Sequence, residues 1–157
     1  MRLVLDSTVM VNFAVVRCTD WLQAIWPERL VTTEDAWAEL QAGIRLGRLP
    51  DADWSWLTVL QLTEAERNLQ NQLVPPLDRG EAACLALAYS RGYALLTDDR
   101  VARREARRLG VPVSGTIGVL KYLVDEGHVP LDQADTALQQ MIAFGYYAPI
   151  RSLRELR

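Results

Sequence analysis

Short apolar runs alternate with longer amphipathic stretches along the whole chain. "RLVLD" (2–6), "RLVTT" (29–33), "WLTVLQL" (56–62), "YALLT" (93–97) and "VPVSG" (111–115) are each too short for a helix and read as buried strands. Between them the apolar residues fall at helical spacing. "STVMVNFAVV" continues from the first strand as a helix, and "WLQAIW" (21–26) is a second that stops before Pro27. Thr33 caps "EDAWAELQAGIRLG", whose first turn carries acids. Thr63 and Glu66 form a capping box ahead of "EAERNLQNQLV", which Pro75 and Pro76 end. A helix runs from Asp78 to Arg91 and closes at Gly92. "DDRVARREARRLG" stops at Gly110, and "TIGVLKYLVDEG" and "LDQADTALQQMIAFG" are the last two helices.

Strands alternating with helices predict an α/β fold: a central, mostly parallel sheet of four to five strands flanked by helices. Right-handed crossovers place helices on both faces. The length, 157 residues, suits one domain over 1–157. Residues 131–157 form a helical extension, with Leu131, Ala134, Leu138, Met141 and Ile142 set to pack on the domain or on a second subunit.

Composition removes several classes of chemistry. Cys18 and Cys84 are isolated thiols, with neither zinc spacing nor a disulfide framework, and suit a reduced cytoplasmic protein. His128 is the single histidine and follows Gly127 at a helix end, so histidine-based catalysis has little to work with. Asp6 and Asn12 interrupt the apolar N-terminus, which lacks the order of a signal peptide. No stretch reaches the ~18 apolar residues of a membrane span, so no membrane association is expected. The net charge of −3 requires any nucleic-acid contact to come from a local basic patch.

The acids carry more. Ligand sites of open α/β sheets form at the carboxyl ends of strands. Asp6 directly follows apolar "LVL", and Asp98 and Asp99 directly follow "LLT", so all three are expected on one sheet edge. The plain alternative for Asp98 and Asp99 is capping of free helix N–H groups. Glu81, in "LDRGEAACLALA", has Cys84, Leu85 and Ala88 at i+3, i+4 and i+7, and so points to the apolar side. It either closes a capping box with Asp78 or is held there as a ligand. Glu39, in "AWAEL", reads alone as a solvated helix charge, yet it reaches the same edge from the helix after the second strand. Carboxylates gathered in one place repel and resist ionisation without a cation. A hard divalent ion with oxygen ligands, Mg²⁺ or Mn²⁺, resolves this and suits phosphodiester hydrolysis.

These stretches, "LVLDSTV", "WAEL", "LDRGEAACLALA" and "ALLTDDRVARREARRLGVPVSGTIGVL", resemble the PIN-domain nuclease superfamily, over residues 1 to about 125. The last two most resemble a PIN-like prokaryotic subgroup related to toxin ribonucleases. The resemblance implies a metal-dependent ribonuclease with three or four acids. Carried over, the acids are Asp6, Glu39, Glu81 and Asp99 or Asp98, with Asp99 preferred because it stands two places after Thr97. Asp6, Glu81 and Asp99 then hold the metal, and Ser7 and Thr97 orient ligands or water. Where many members have Asn after the first acid's strand, this chain reads "DSTV". Many prokaryotic members are toxins held inactive by an antitoxin protein, and homodimers are common.

Residues 100–108 hold five arginines, among them Arg100 and Arg104 on one helical stripe with Arg107 and Arg108. They are either a solvated helix face or, just past the acids, a contact for RNA phosphates. Of the tryptophans, Trp21, Trp26 and Trp37 are expected in the core. The tail "RSLRELR" (151–157) faces RNA, a partner or solvent. The leading function is an endoribonuclease, with toxin biology implied by the resemblance. The alternative is a catalytically degenerate PIN-like module that binds RNA or a protein. A phosphoryl-accepting receiver shares the fold class but would need an acceptor Asp after a central strand, where the third strand ends in "LQLT".

Overall fold

The computed structural model describes residues 1–156. Five strands form one sheet: β1 (Leu3–Leu5), β2 (Leu30–Thr33), β3 (Thr58–Leu60), β4 (Ala94–Leu96) and β5 (Val113–Ser114). Their order is β3-β2-β1-β4-β5, and every pairing is parallel. The chain thus builds one half of the sheet outward from β1, then returns to add β4 and β5 on the other side. The reversal lies between β1 and β4, and such a switch point opens a crevice at the strands' carboxyl ends. Leu5 pairs with Leu96 across it, and the Asp6 N–H donates to the Leu96 carbonyl at 2.9 Å. The residues following both strands therefore emerge side by side.

Eight helices flank the sheet among the described residues: α1 (Ser7–Val15), α2 (Thr19–Ile25), α3 (Glu34–Arg45), α4 (Glu64–Leu73), α5 (Arg79–Arg91), α6 (Arg100–Arg108), α7 (Thr116–Asp125) and α8 (Leu131–Ala143). α5 is buried from Ala82 to Ala88, which explains why that stretch is apolar all round. It packs against α4, α3 and the central strands. The predicted capping box Thr63–Glu66 on α4 is complete, and so is the Asp78–Glu81 box on α5 that was one of two alternatives for Glu81. Glu66 is also gripped by Arg91, whose Nε lies 2.9 Å from Oε2 and holds that carboxyl below its usual range.

The strands are shorter than the apolar runs suggested. β3 keeps three of the seven residues of "WLTVLQL", being an edge strand paired on one side only. Trp56 lies outside it and donates its indole N–H to the Asp53 carbonyl at 2.9 Å. Trp21, Trp26 and Trp37 are half-buried and pack against the core, whereas Trp54 is buried within it. The tail 151–156 is not free: buried Asp135 on α8 accepts from the Leu153 N–H at 2.7 Å, from Ser152 Oγ at 3.0 Å and from Arg154 Nη1 at 3.0 Å. Arg157 lies outside the described residues. No described helix is long and apolar enough to cross a membrane.

Candidate active site

Asp6 lies at the carboxyl end of the central strand, and only 1 % of its surface is exposed. Its Oδ2 accepts the hydroxyl protons of Thr97 at 2.7 Å and Thr8 at 3.0 Å. Each hydroxyl in turn accepts a backbone N–H, Thr8 from Asp98 at 2.9 Å and Thr97 from Asp99 at 3.2 Å. The two amides fix the direction of both hydroxyls, so both protons go to Asp6. The 3.4 Å approach of the two hydroxyl oxygens is then a contact rather than a further bond. Oδ1 is buried and has no hydrogen-bond partner among the described residues. Burial pushes the Asp6 carboxyl up against the lowering effect of its two hydroxyls, and the Asp78 charge raises it further.

Glu39 reaches the same edge from α3. Its Oε2 accepts from Ser7 Oγ at 3.0 Å. Although the residue as a whole is exposed, its carboxyl end lies directly over Gly80 of α5. A Cβ on Gly80 would fall 1.8 Å from Glu39 Oε1, so the carboxyl occupies the place of the missing side chain. Burial raises its pKa first, with the Asp78, Asp6 and Asp35 charges adding to this.

Glu81 takes the capping part of the two that its position allows. Its Oε1 accepts the Asp78 N–H at 3.2 Å and its own N–H donates to Asp78 Oδ1 at 2.8 Å, completing the box. Its carboxyl also stands against Asp99. Burial chiefly, then the Asp78 and Asp99 charges and hydrogen bonding to Asp99, push it up to about 8.

Asp98 and Asp99 have separate surroundings. Asp99 caps α6, its Oδ2 accepting the Ala102 N–H at 2.8 Å. Asp98 faces α7 instead. Its Oδ1 accepts the Thr116 N–H at 2.8 Å and Tyr146 Oη at 3.4 Å; its Oδ2 accepts Asn12 Nδ2 at 2.9 Å and the Thr116 hydroxyl. Asp98 thus ties α1, α7 and the C-terminal segment to the end of β4. Asn12 was visible as a lone amide in apolar "VMVNFAVV", but nothing in its spacing names Asp98 as its partner. Thr8, Thr116 and Tyr146 carried no signal of their own.

A cavity of about 950 Å³ opens beside the acids. Ser7, Thr8, Asp98 and Asp99 form its inner side, and Arg100, Arg103 and Arg107 of α6 also line it. Arg104 is exposed and lies outside this lining; Arg103 takes that place, with its Nη1 on the Thr97 carbonyl at 3.1 Å.

The donor set fits a hard divalent cation: it offers carboxylate oxygens, one of them a buried Oδ1 with no partner, on carboxyls whose charged form burial disfavours. Three or more His, Cys, Asp or Glu side chains do not stand together as a preformed ligand set among the described residues. The raised carboxyls set a pH dependence. A folded pKa above the unfolded value means that the folded chain holds protons that the unfolded chain has released. Stability of the metal-free protein therefore falls as pH rises from the ordinary carboxyl range to about 8, and is fuller below it. Thermal melts across this window in EDTA should show the decline, and added Mn²⁺ should flatten it. A melting temperature that rises with pH in EDTA contradicts this account.

Comparison with known proteins agrees with this architecture. The PilT N-terminus domain protein SSO1118 from Sulfolobus solfataricus P2 superposes with a TM-score of 0.54 at 15% identity, covering 82% of this chain and 96% of its own. PAE2754 from Pyrobaculum aerophilum gives 0.55 at 18% identity, covering 79% and 98%. At such identities the likeness is one of fold. No curated protein matches the chain significantly. The family model DUF3368, described as a PIN domain, matches residues 2–157, running through α8 and the tail. With an all-parallel five-stranded sheet and acids at its switch point, this chain belongs to the PIN-domain family and carries its nuclease-type fold.

Proposed function

We propose that this protein is a metal-dependent endoribonuclease that hydrolyses RNA phosphodiester bonds at the Asp6 edge of the sheet. One observation carries the reading: Asp6 is buried at the switch point with Oδ1 unpartnered among the described residues, at an edge that the Glu39 carboxyl also reaches. A buried carboxylate with a free oxygen is costly in a protein that does not use it. Asp6, Glu81 and Asp99 would hold Mg²⁺ or Mn²⁺, with Glu39 close by. When bound, the ion supplies charge neutralisation at the phosphate and activation of a water. Thr8 and Thr97 hold the Asp6 carboxylate in one orientation through their hydroxyls. Arg100, Arg103 and Arg107 supply positive charge for the phosphate backbone along the adjoining cavity.

Cleavage of single-stranded RNA by the purified protein in Mg²⁺ or Mn²⁺, and its loss in EDTA, is the expected result. Glu81→Gln sharpens it. The amide oxygen still closes the capping box, so stability should change by less than ~1 kcal/mol, while activity falls at least ~10-fold. A variant that loses stability but keeps its activity returns Glu81 to a purely capping role.

A second reading has its own support. Glu81 and Asp99 are already engaged as helix caps and the acids form no preformed ligand triad, as in a module that binds RNA without cutting it. Calorimetry separates the two: no heat of Mn²⁺ binding to a well-folded protein favours the binding module. A toxin role is part of the first reading, and growth arrest on expression, relieved by co-expressed neighbouring genes, would support it.

A further inference from the structure

The chain after α8 returns across the cavity before it ends. Gly145, Tyr146, Tyr147 and Pro149 line the same space as the arginines of α6. Both ends of this strap are tied. At the α8 end the Tyr146 N–H bonds the Met141 carbonyl at 3.0 Å. At the far end, buried Asp135 takes the Leu153 N–H and the Ser152 and Arg154 side chains, with Leu153 itself buried. Between these anchors Tyr147 is 88 % exposed, although it lines the cavity. An aromatic ring left this open on a segment so firmly anchored gains nothing for folding from its position.

The arginines supply a second, independent feature. Arg100, Arg103 and Arg107 follow i, i+3, i+7 spacing and so share one face of α6. Arg100 and Arg107 make no ion pair or side-chain hydrogen bond among the described residues, and both are exposed. A cavity with open guanidinium groups, an open phenol ring and a direct passage to Asp98 and Asp99 matches a polyanion that also carries flat apolar faces. Single-stranded RNA has both, whereas in a duplex the faces are already stacked on one another.

We propose that the strap 144–150 is the base-recognition half of the RNA site: Tyr147 stacks on an unpaired nucleobase while Arg100, Arg103 and Arg107 hold the adjoining phosphates. This rests on the reading of the cavity as an RNA site and names the form of RNA and the residue that reads it.

The test is fluorescence anisotropy with a short labelled single-stranded RNA of mixed sequence, in EDTA so that nothing is cut. The wild type should bind it more tightly than the corresponding duplex. Tyr147→Ala should weaken single-strand binding roughly tenfold, with the slope of affinity against salt unchanged, because no phosphate contact is lost. Tyr147→Phe should bind as the wild type does, since the ring is retained. The ring is so exposed that truncation leaves the fold intact, which circular dichroism checks. Wild-type affinity in Tyr147→Ala, or a Tyr147→Phe variant as weak as the alanine one, overturns the proposal. Should the wild type cleave RNA in Mn²⁺ while Tyr147→Ala binds normally, the strap assignment alone fails. Should the wild type bind no RNA at all, the strap assignment and the RNA reading fail together.

Discussion

Asp6→Asn should remove RNA cleavage and, in metal-free buffer near pH 8, raise the melting temperature. The two effects have one cause. The carboxylate is buried with one oxygen served by two hydroxyls and the other by nothing among the described residues. Burial disfavours the charged form of this carboxyl, and that costs the folded protein stability at a pH where the unfolded chain ionises it freely. Asparagine keeps an oxygen to accept from Thr97 and Thr8 and puts a neutral amide at the open position. That amide lacks a partner too, but an unsatisfied neutral donor costs less than a desolvated charge. A gain of at least ~1 kcal/mol is expected, or ~2–4 °C in a domain of this size. Cleavage should fall by at least ~100-fold, since even the groups that only orient a metal's ligands cost 10- to 100-fold when removed. Calorimetric melts and a gel assay on the same preparations decide the matter. A variant that is both inactive and less stable would make Asp6 a structural acid.

The second large effect is expected where no charge changes. Gly80→Ala places a methyl 1.8 Å from Glu39 Oε1 and 2.7 Å from its Cδ, so the Glu39 carboxyl must leave. What it meets is the free end of a long side chain rather than backbone, so the helix can stay where it is. Alanine also favours a helix over glycine by up to ~1 kcal/mol. Stability should therefore hold or rise while activity falls at least ~10-fold, as in Glu39→Gln. Because both changes act on one carboxyl, the double variant should be no worse than either single one, an interaction that a double-mutant cycle measures. Additive losses would mean that Gly80 matters for another reason, such as the approach of α3 to α5.

The pattern of strands and helices was legible because each element states its own limits. Thr33, Thr63, Asp78 and Asp99 cap the helices that follow them, and Gly92 closes α5 in a left-handed conformation. Their chemistry is local, so the sequence carries it whole. The shared edge of Asp6 and Asp98–Asp99 was legible for a related reason: each follows a short apolar strand, and parallel strands put their carboxyl ends on one side. Glu81 read alone as cap or ligand because its spacing satisfies both, and the resemblance assigned it to the metal; in the structure it closes the box while its carboxyl stands against Asp99.

Contacts between distant elements were not legible. Asn12 and Asp98 are 86 residues apart, and only the pairing of β1 with β4 brings them together. Helical spacing placed Arg104 on the basic stripe, but the turn of α6 against the sheet gives the cavity to Arg103. Gly80 looked like any small residue near a helix start until α3 laid Glu39 across it. The tail's arginines were left open among RNA, a partner and solvent, and Asp135 takes one of them, Arg154, to anchor the strap. The sequence alone determined the elements, their caps and the sheet edge on which the acids gather, since those depend on neighbours in the chain. The tertiary structure decided which oxygen of Asp6 is left open, what fills the space above Gly80 and which side chains wall the cavity. These depend on packing between elements far apart in sequence, which no local pattern encodes.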